Sequence, residues 1–414
     1  MRDGSAGYDT EQALLLTLLG SESSSQAGSE IRKLAARADW GRLLRLATHA
    51  LTPYLADRLE KLDLVAEVPT DVRERLITGR RANGMIHLLR LHALRSALSA
   101  LGAQGIPVIV LKGMALAHLV YPDPALRPMQ DIDLWVGPSR LDEAAAALVG
   151  AGFRFPDRTY FGLFVPETRS EASERLLELP DSPIQIELHG RLSSFDGLPG
   201  RGDLAPAMWA RTTAARLGDV ATQVLSPEDL LLHLSLHLAR QHHFNIGLVA
   251  LVDIRLTLEK WKGRLNESAL ASDCRRPGMT NWILLALDLA QRLLGAPVPT
   301  SVAALPRPDA YEEMSDLALE QIWGAGLLLP PLLEHLATAH DRSAWFKRRI
   351  SSYFHGSPAE VVRRLRFDLT VKLPKYLGQW RRGELSGPAL RERLHLARQR
   401  ARLENLVQGD GGGV

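Results

Sequence analysis

The sequence predicts an α+β protein in which a small mixed sheet with helices lies between mainly helical regions. Leucines recur at three- and four-residue spacing over 11–100, short β-branched and alternating segments follow over 103–195, and helical spacing returns after 215. These observations divide the 414 residues into four expected parts. They are a helical N-terminal region (1–102), a mixed domain (103–215), a helical domain packed on it (216–346), and a basic helical region with a disordered tail (347–414).

The N-terminal region should consist of helices separated by one polar loop. Helical spacing is clear in EQALLLTLLG, in WGRLLRLATHALTPYLADRLEKL and in GMIHLLRLHALRSALSALGAQG, whereas SESSSQAGSE has the composition of a loop. Gly102 and Gly105 are expected to end the third helix, because glycine readily adopts the left-handed conformation that terminates helices.

The mixed domain is expected to contain three strands joined by helices. IPVIVLKG is a β-branched run that enters a turn, DIDLWV alternates, and SPIQIELHGRL contains a third strand. MALAHLVY should form a helix that the prolines of YPDPALRP end, and SRLDEAAAALVGAGF should form a second helix with Ser139 as its N-cap. FRFPDRTYFGLFVPE suggests extended structure with turns.

The last two parts of the chain are predicted to be helical. Ser226, Pro227 and Glu228 form a good helix start, since they supply a capping hydroxyl, a proline for the first turn and an acid that suits the helix dipole. Residues 347–402 hold fifteen Lys and Arg against four Asp and Glu. Such a segment is either the solvated face of amphipathic helices or a surface for an anionic partner, and the two alternatives stay open.

Composition excludes several classes of protein. Hydrophobic residues make up 46% and charged residues 23%, which is typical of a globular protein. A net charge of only +3 and the lack of a recognised nucleic-acid module argue against nucleic acid as a partner. Cys274 is the single cysteine, so neither an intramolecular disulfide nor a cysteine-based zinc site can form. With no secretory signal and no apolar run of about 18 residues, we expect a cytoplasmic protein without a membrane span.

Two aspartates, Asp131 and Asp133, lie one residue apart in the strand DIDLWV. Strand side chains alternate between faces, so both carboxylates point the same way and repel each other unless a positive group lies between them. Glu187 shares a face with Gln185 and His189 in its own strand, and three carboxylates converge if the two strands are neighbours. Such a trio can hold two Mg²⁺ ions. The alternative is a solvated polar face on an edge strand.

The segment VIVLKGMALAHLVYPDPALRPMQDIDLWV, with IELHGRL downstream, resembles the nucleotidyltransferase superfamily that shares the DNA polymerase beta palm. More closely, it is similar to the bacterial uncharacterised nucleotidyltransferase family, which carries an LKG turn, an R-P-x-x-DIDLLV strand and a later [DE]LH strand. The likeness is clear over 106–190 and fainter to residue 260. It implies a polymerase-beta-like nucleotidyltransferase palm within the mixed domain.

By this resemblance, Asp131 and Asp133 bind the metal ions, and Glu187 is the third carboxylate, which deprotonates or orients the attacking hydroxyl. Gly113 and Met114 correspond to the turn that approaches the nucleotide phosphates. This chain departs from the family pattern there, because the superfamily turn is usually Gly-Gly or Gly-Ser and Met114 can offer only its backbone amide. The gap from Gly113 to Asp131 is also longer than in compact superfamily members.

Lys112 and Arg127 flank this site and are the natural phosphate partners, since lysine supplies a point charge and arginine can donate two parallel hydrogen bonds. Both could instead be solvated flanking charges. His189 either contacts the nucleotide or supports Glu187.

A second cluster of titratable residues lies downstream. Its histidines are His233, His237, His242 and His243. The four-residue spacing of the first two could hold a metal ion, but no HExxH pattern occurs. We expect instead a helix that packs on the mixed domain, with His237, Arg240 and His243 near the mouth of the nucleotide site. Asp253, an acid within an apolar helix, is expected to pair with one of these bases.

The carboxylate trio predicts metal-assisted phosphoryl transfer. The family resemblance implies a transferase that moves a nucleoside monophosphate from an NTP, ATP or GTP, to a hydroxyl group with the help of Mg²⁺, for which Mn²⁺ could substitute. The acceptor stays open among a peptide, a sugar and a small molecule. By the family resemblance, relatives often lie in bacterial biosynthetic gene clusters. Two alternatives remain: a nucleotide-sugar-dependent glycosyl or phosphoryl transferase that tailors a biosynthetic peptide, and a nucleotide-binding scaffold without turnover.

Overall fold

The computed structural model describes residues 7–20, 25–156, 174–195, 198, 204–324 and 387–409. The larger part of the predicted extended segment after residue 153, most of the basic C-terminal region and the predicted disordered tail lie outside the described residues. The described residues confirm the predicted α+β class, with helices around one mixed sheet.

Along the chain, helices precede the sheet, connect several of its strands and follow it. They are α1 (Thr10–Leu19), α2 (Ser25–Ala35), α3 (Trp40–Lys61), α4 (Thr70–Ala103), α5 (Lys112–Leu119), α6 (Leu141–Gly150), α7 (Leu204–Ala210), α8 (Pro227–Leu236), α9 (Leu248–Lys260), α10 (Glu267–Cys274), α11 (Thr280–Leu294), α12 (Thr300–Ala303), α13 (Tyr311–Trp323) and α14 (Gly387–Gly409). A π-helical turn, His237–Gln241, continues directly from α8. Within the described ranges, no helix combines the length and the apolar character needed to cross a bilayer.

Six strands form one mixed sheet in the described part of the chain. They are β1 (Ile109–Val110), β2 (Asp131–Trp135), β3 (Glu174–Glu178), β4 (Gln185–His189), β5 (Thr213–Leu217) and β6 (Val220–Val224). Their order across the sheet is β3-β4-β2-β1-β6-β5. β2 runs parallel to β4 and β1 runs parallel to β6, while the other neighbouring pairs are antiparallel.

The neighbouring strands β2 and β4 each have an apolar face and a polar face. Ile132 and Leu134 of β2 and Ile186 and Leu188 of β4 are fully buried, and they share one hydrophobic cluster with residues of α4 and α6. Because strand side chains alternate, the acidic residues between them project to the opposite face. The predicted alternation is therefore confirmed in both strands.

Helix boundaries test three of the predicted caps. Gly105 follows α4 with a φ of +61°, and Ser226 accepts a hydrogen bond from the Asp229 N–H at 3.2 Å, so both predictions are confirmed. Ser139 does not cap α6, because residues 138–140 form a short 3₁₀ turn and the helix begins after Arg140.

The prediction of secondary structure is also wrong for part of the N-terminal loop and for three strands. Residues 25–30 of the expected polar loop belong to α2, where Ile31 and Ala35 are buried in the core, so packing outweighs the polar composition. β3 is missing from the prediction. So is the hairpin of β5 and β6, and the expected domain boundary at 215 falls inside β5. Gly218, at φ +61°, makes the tight turn of this hairpin, but β5 is largely exposed and lacks an apolar run that would identify it.

A buried ion pair anchors the segment that leads into β2. Arg127 donates from Nε and Nη2 to the two carboxylate oxygens of Asp253 on α9, at 2.8 Å each. Tyr121 donates to the same carboxylate at 2.7 Å. The expectation that Asp253 pairs with a base of the 237–243 segment is therefore wrong, because its partners come from the segment before β2. A two-point contact of this kind fixes the orientation of both side chains and ties α9 to the start of the strand that carries the aspartates.

Removing one partner of this pair should destabilise the fold strongly. Arg127→Met leaves Asp253 as a buried charge without its cation, and we expect the free energy of unfolding to fall by about 3–5 kcal/mol. Urea denaturation followed by circular dichroism measures this loss. Arg140→Met, which breaks an exposed pair with Glu143, is the matched control and should leave the denaturation midpoint unchanged. Equal effects of the two substitutions would contradict the anchoring role.

Candidate active site

β2 and β4 bring three acidic side chains to one face of the sheet. The strands pair in parallel register, with Asp133 beside Glu187 and Asp131 beside Gln185. Paired residues of neighbouring strands project to the same side, so the polar face of β2 continues into that of β4. The expectation that these two strands are neighbours is confirmed.

Asp133 is the centre of a buried ionic cluster. Its side chain is 4% exposed, and Oδ1 accepts hydrogen bonds from Lys112 Nζ at 3.0 Å and from His189 Nε2 at 2.9 Å. Lys112 is the first residue of α5, and His189 is the last residue of β4. Two residues expected to bind the nucleotide therefore contact Asp133 directly. A carboxylate this deeply buried is stable in its charged form only with such partners.

Glu187 and Glu174 lie on either side of the same imidazole. Glu187 Oε2 is 3.7 Å from His189 Nε2, so Glu187 faces the ring that also binds Asp133. Glu174 pairs with His189 across β3 and β4, and its Oε1 lies 3.6 Å from His189 Nδ1. Sequence reasoning missed Glu174, because ERLLE lacks the alternation of apolar and polar residues that would mark it as a strand.

Burial and charge shift the pKa values of this cluster in opposite directions. Burial alone would raise the pKa of Asp133, but Lys112 and His189 outweigh it and hold that pKa well below its usual value. Burial raises the pKa of Glu187 to about 7, a shift that His189 opposes and the neighbouring carboxylates increase. Burial lowers the pKa of His189, but Asp133 and Glu174 outweigh it and raise the value to about 9. At neutral pH, Asp133 and His189 are therefore charged and Glu187 is close to its midpoint.

Asp131 lies beside this cluster but is not one of the three residues whose ligand atoms lie closest together. It is half-buried, and its pKa is raised by burial and by the Asp133 carboxylate. Ligand atoms of Asp133, Glu187 and His189 lie within 4.8 Å of one another, and no other group of this kind occurs in the described residues. Carboxylate oxygens and an imidazole nitrogen are ligands that divalent cations accept. The donor set therefore fits a metal ion, with Asp131 beside it.

The predicted glycine turn lies at the start of α5, whose first amides have no side-chain cap. Lys112 has a φ of +35°, a left-handed conformation that costs a non-glycine residue about 1–3 kcal/mol. A Cβ at position 113 would come within 3.0 Å of Met129, so Gly113 allows a close approach that a larger residue would disturb. Met114 is fully buried in the core, which leaves only its backbone amide for a ligand.

Arg127 and Arg240 contact other parts of the chain. Besides its pair with Asp253, Arg127 donates from Nη1 to the Pro128 carbonyl. Arg240 donates from Nη1 to the Ser194 carbonyl at 2.9 Å, shortly after the end of β4. Their roles in nucleotide binding stay predictions. In the described residues, both arginines tie together segments that border the acidic cluster.

The downstream histidines lie near the cluster but do not contact it. His237 and His242 face each other Nε2 to Nε2 at 3.2 Å, and His243 contacts Glu404 of α14 at 2.9 Å. Burial lowers the pKa of His237 and that of His242, and the positive charge of Lys112 lowers both further. The pKa of His242 falls to about 4. The influence of Lys112 shows that these rings lie close enough to sense its charge. Their role at the nucleotide site stays a prediction.

His233 packs against the segment that follows β4. Its ring stacks on Phe195 with centroids 6.2 Å apart, and its Nδ1 lies 3.5 Å from Ser194 Oγ. This contact agrees with a helix that packs on the mixed domain. No group of three metal-ligating side chains in the described ranges includes His233 or His237.

Comparison with known families relates this arrangement to a transferase. A family model described as "Uncharacterised nucleotidyltransferase" matches residues 36–295, a span that includes the whole sheet and the acidic cluster. Comparisons with curated proteins and with solved structures gave no match.

The raised pKa of Glu187 predicts a specific dependence of stability on pH. The carboxyl ionises near its usual value in the unfolded chain but only at about 7 in the folded one. Its contribution to stability is therefore present below the unfolded pKa and is lost as the pH rises through 7. The melting temperature of the wild type should fall relative to that of Glu187→Gln between pH 5 and pH 8.

Thermal melts at half-unit pH steps measure this difference. Asp142→Asn, which removes an exposed carboxyl on α6, is the control and should give a profile parallel to that of the wild type. Parallel profiles for the wild type and Glu187→Gln would show that Glu187 is not the shifted group.

Proposed function

Because the chain belongs to the uncharacterised nucleotidyltransferase family, we propose that it transfers a nucleoside monophosphate from an NTP to a hydroxyl group. The observation that carries this proposal is the close group of Asp133, Glu187 and His189 beside Asp131. Family membership supports the reaction class, and the acidic group supports a divalent cation. A polymerase-beta-like palm, Mg²⁺ or Mn²⁺ as the ion, and ATP or GTP as the donor belong to the same proposal.

Asp131, Asp133 and Glu187 would hold the metal ions. Hard carboxylate oxygens are the ligands that Mg²⁺ prefers. Burial, together with the neighbouring carboxylates, raises the pKa of Glu187, and a bound cation would oppose this shift. When bound, the ions would lower the pKa of the acceptor hydroxyl and neutralise charge that develops at the α-phosphate. His189 would keep Asp133 in its present orientation, since it already donates to Oδ1.

The remaining residues would bind the donor and move the proton. Glu187 would accept the proton of the attacking hydroxyl or orient it. Lys112 would exchange Asp133 for a phosphate oxygen of the donor, and the backbone amides of Gly113 and Met114 would donate to the phosphates. The new oxygen–phosphorus bond forms as the bond to pyrophosphate breaks, and pyrophosphate leaves with the electron pair.

The outer part of the site would contain His237, Arg240 and His243. Arg240 already contacts the Ser194 carbonyl, which places it just beyond β4 on the side of the histidines. The acceptor would enter here, and the proposal requires only that it carries a hydroxyl group. A peptide, a sugar and a small molecule all satisfy that requirement.

One observation favours a second candidate, a nucleotide-binding scaffold without turnover. Lys112 and His189 already compensate the buried charge of Asp133, so the described cluster does not depend on a metal ion for its stability. Such a scaffold would bind nucleotide without releasing pyrophosphate. Measurement of both quantities on the same preparation separates the two candidates.

Loss of a single carboxylate should abolish transfer. We expect Asp131→Asn, Asp133→Asn and Glu187→Gln each to reduce Mg²⁺-dependent transfer on the order of 100-fold or more, because even outer partners of a metal site are worth 10–100-fold. Transfer from α-³²P-labelled ATP and GTP to a panel of hydroxyl compounds and to cell extract, together with pyrophosphate release, provides the measurement. Asp142→Asn is the matched control. Full activity in any of the three variants would refute the assignment.

A further inference from the structure

A buried arginine on α4 has hydrogen-bond donors that nothing in the described residues uses. Arg90 is 6% exposed, and its Nη2 donates to the Met129 carbonyl. Its Nε and Nη1 are buried and have no partner. Leaving a buried donor unsatisfied is unfavourable, and more so for a charged group. Such a group in a native protein calls for an explanation, for which a bound ligand is one of the few physical options.

A further unsatisfied nitrogen lies one turn earlier on the same helix face. His87 Nε2 faces His118 Nε2 at 3.0 Å, while the buried His87 Nδ1 has no partner. Residues three apart on a helix are neighbours, so this nitrogen and the two of Arg90 belong to one patch. Guanidinium nitrogens can only donate hydrogen bonds, and the group always carries a positive charge. When His118 donates to His87 Nε2, His87 Nδ1 is a donor as well, and an anion is the ligand that satisfies all three nitrogens of the patch.

The patch lies next to the parts of the site that would meet phosphate. Met129, whose carbonyl binds Arg90, packs against Gly113 of the glycine turn and precedes Asp131 by two residues. Burial lowers the pKa of Arg90 and the Asp131 charge raises it, so the two side chains sense each other. The intervening segment is not sealed from solvent, because Met129 is half-buried and Gln130 is exposed.

Arg127, the arginine expected from the sequence to bind phosphate, is already engaged. Each of its three guanidinium nitrogens donates to an acceptor, two to Asp253 and one to the Pro128 carbonyl. We propose that Arg90 takes this role and binds a phosphate group of the nucleotide donor. The inference rests on the proposed nucleotidyl transfer and adds a residue to it. Five N–H donors in fixed directions allow a guanidinium group to hold the Met129 carbonyl and phosphate oxygens together.

Binding of inorganic tripolyphosphate to the full chain in the presence of Mg²⁺ tests the proposal by calorimetry. Arg90→Met removes the charge at similar length and should weaken this binding at least tenfold. Arg81→Met, an exposed position on the same helix, is the matched control and should keep the wild-type affinity. Adenosine, which has no phosphate, should bind equally to all three proteins. If Arg90 only held Met129 in place, Arg90→Met would instead weaken the binding of both tripolyphosphate and adenosine.

Several outcomes would overturn the proposal. They are the absence of wild-type tripolyphosphate binding, equal tripolyphosphate affinity of wild type and Arg90→Met, and an equal loss of adenosine binding. If Arg90→Met does not fold, Arg90→Lys is measured in its place. A loss of tripolyphosphate affinity of threefold or more supports the proposal, and an unchanged affinity refutes it. Arg90-dependent binding without nucleotide transfer would refute the proposed function alone. Nucleotide transfer with an unchanged KM for the NTP in Arg90→Met would refute the role of Arg90 alone.

Discussion

The parallel register between β2 and β4 is the constraint on which the whole site depends. It sets Asp133 beside Glu187, and a slip of one residue would turn Glu187 into the apolar face of the sheet. Ile186 and Leu188 resist such a slip because both are fully buried against the core. The burial of apolar neighbours therefore positions the carboxylates, and no contact between the acidic side chains themselves is needed to align them.

Gathering carboxylates in a half-buried place is unfavourable unless positive charge accompanies them. Lys112 and His189 supply that charge within the protein, and both donate to the same oxygen of Asp133. Lys112 does so from a left-handed backbone conformation, so part of the folding free energy is stored at this turn. The cluster is thus formed before any ligand binds, and in the proposed reaction Lys112 would be the side chain that exchanges its partner Asp133 for the donor.

The parts of the fold that could be predicted are those with a strong local pattern. The alternation of DIDLWV and of QIELH predicted two strands and the face of each carboxylate, and parallel pairing of β2 with β4 confirmed that they converge. β5 and β6 could not be found in this way, because only Leu217, Val220 and Val224 of this hairpin are buried, and its other residues lack an alternation of apolar and polar side chains. Glu174 was not predicted as a site residue for a different reason. Its contact with His189 depends on which strand lies at the sheet edge, and strand order is a property of the tertiary structure.

The arginines show most clearly why proximity in sequence is a poor guide to a binding site. Arg127 lies four residues before Asp131, yet it binds the buried carboxylate of Asp253, which lies on a helix more than a hundred residues away in sequence. Arg90 belongs to a helix that sequence reasoning placed in a separate N-terminal region, yet it contacts the segment that enters β2. The only hint in the sequence was a polar residue repeated at helical spacing within an apolar face, at Asn83, His87 and Arg90. Buried acids select their partners by charge and shape across the fold, so the arginine left with unused donors, rather than the one nearest in sequence, is the better candidate for an incoming phosphate.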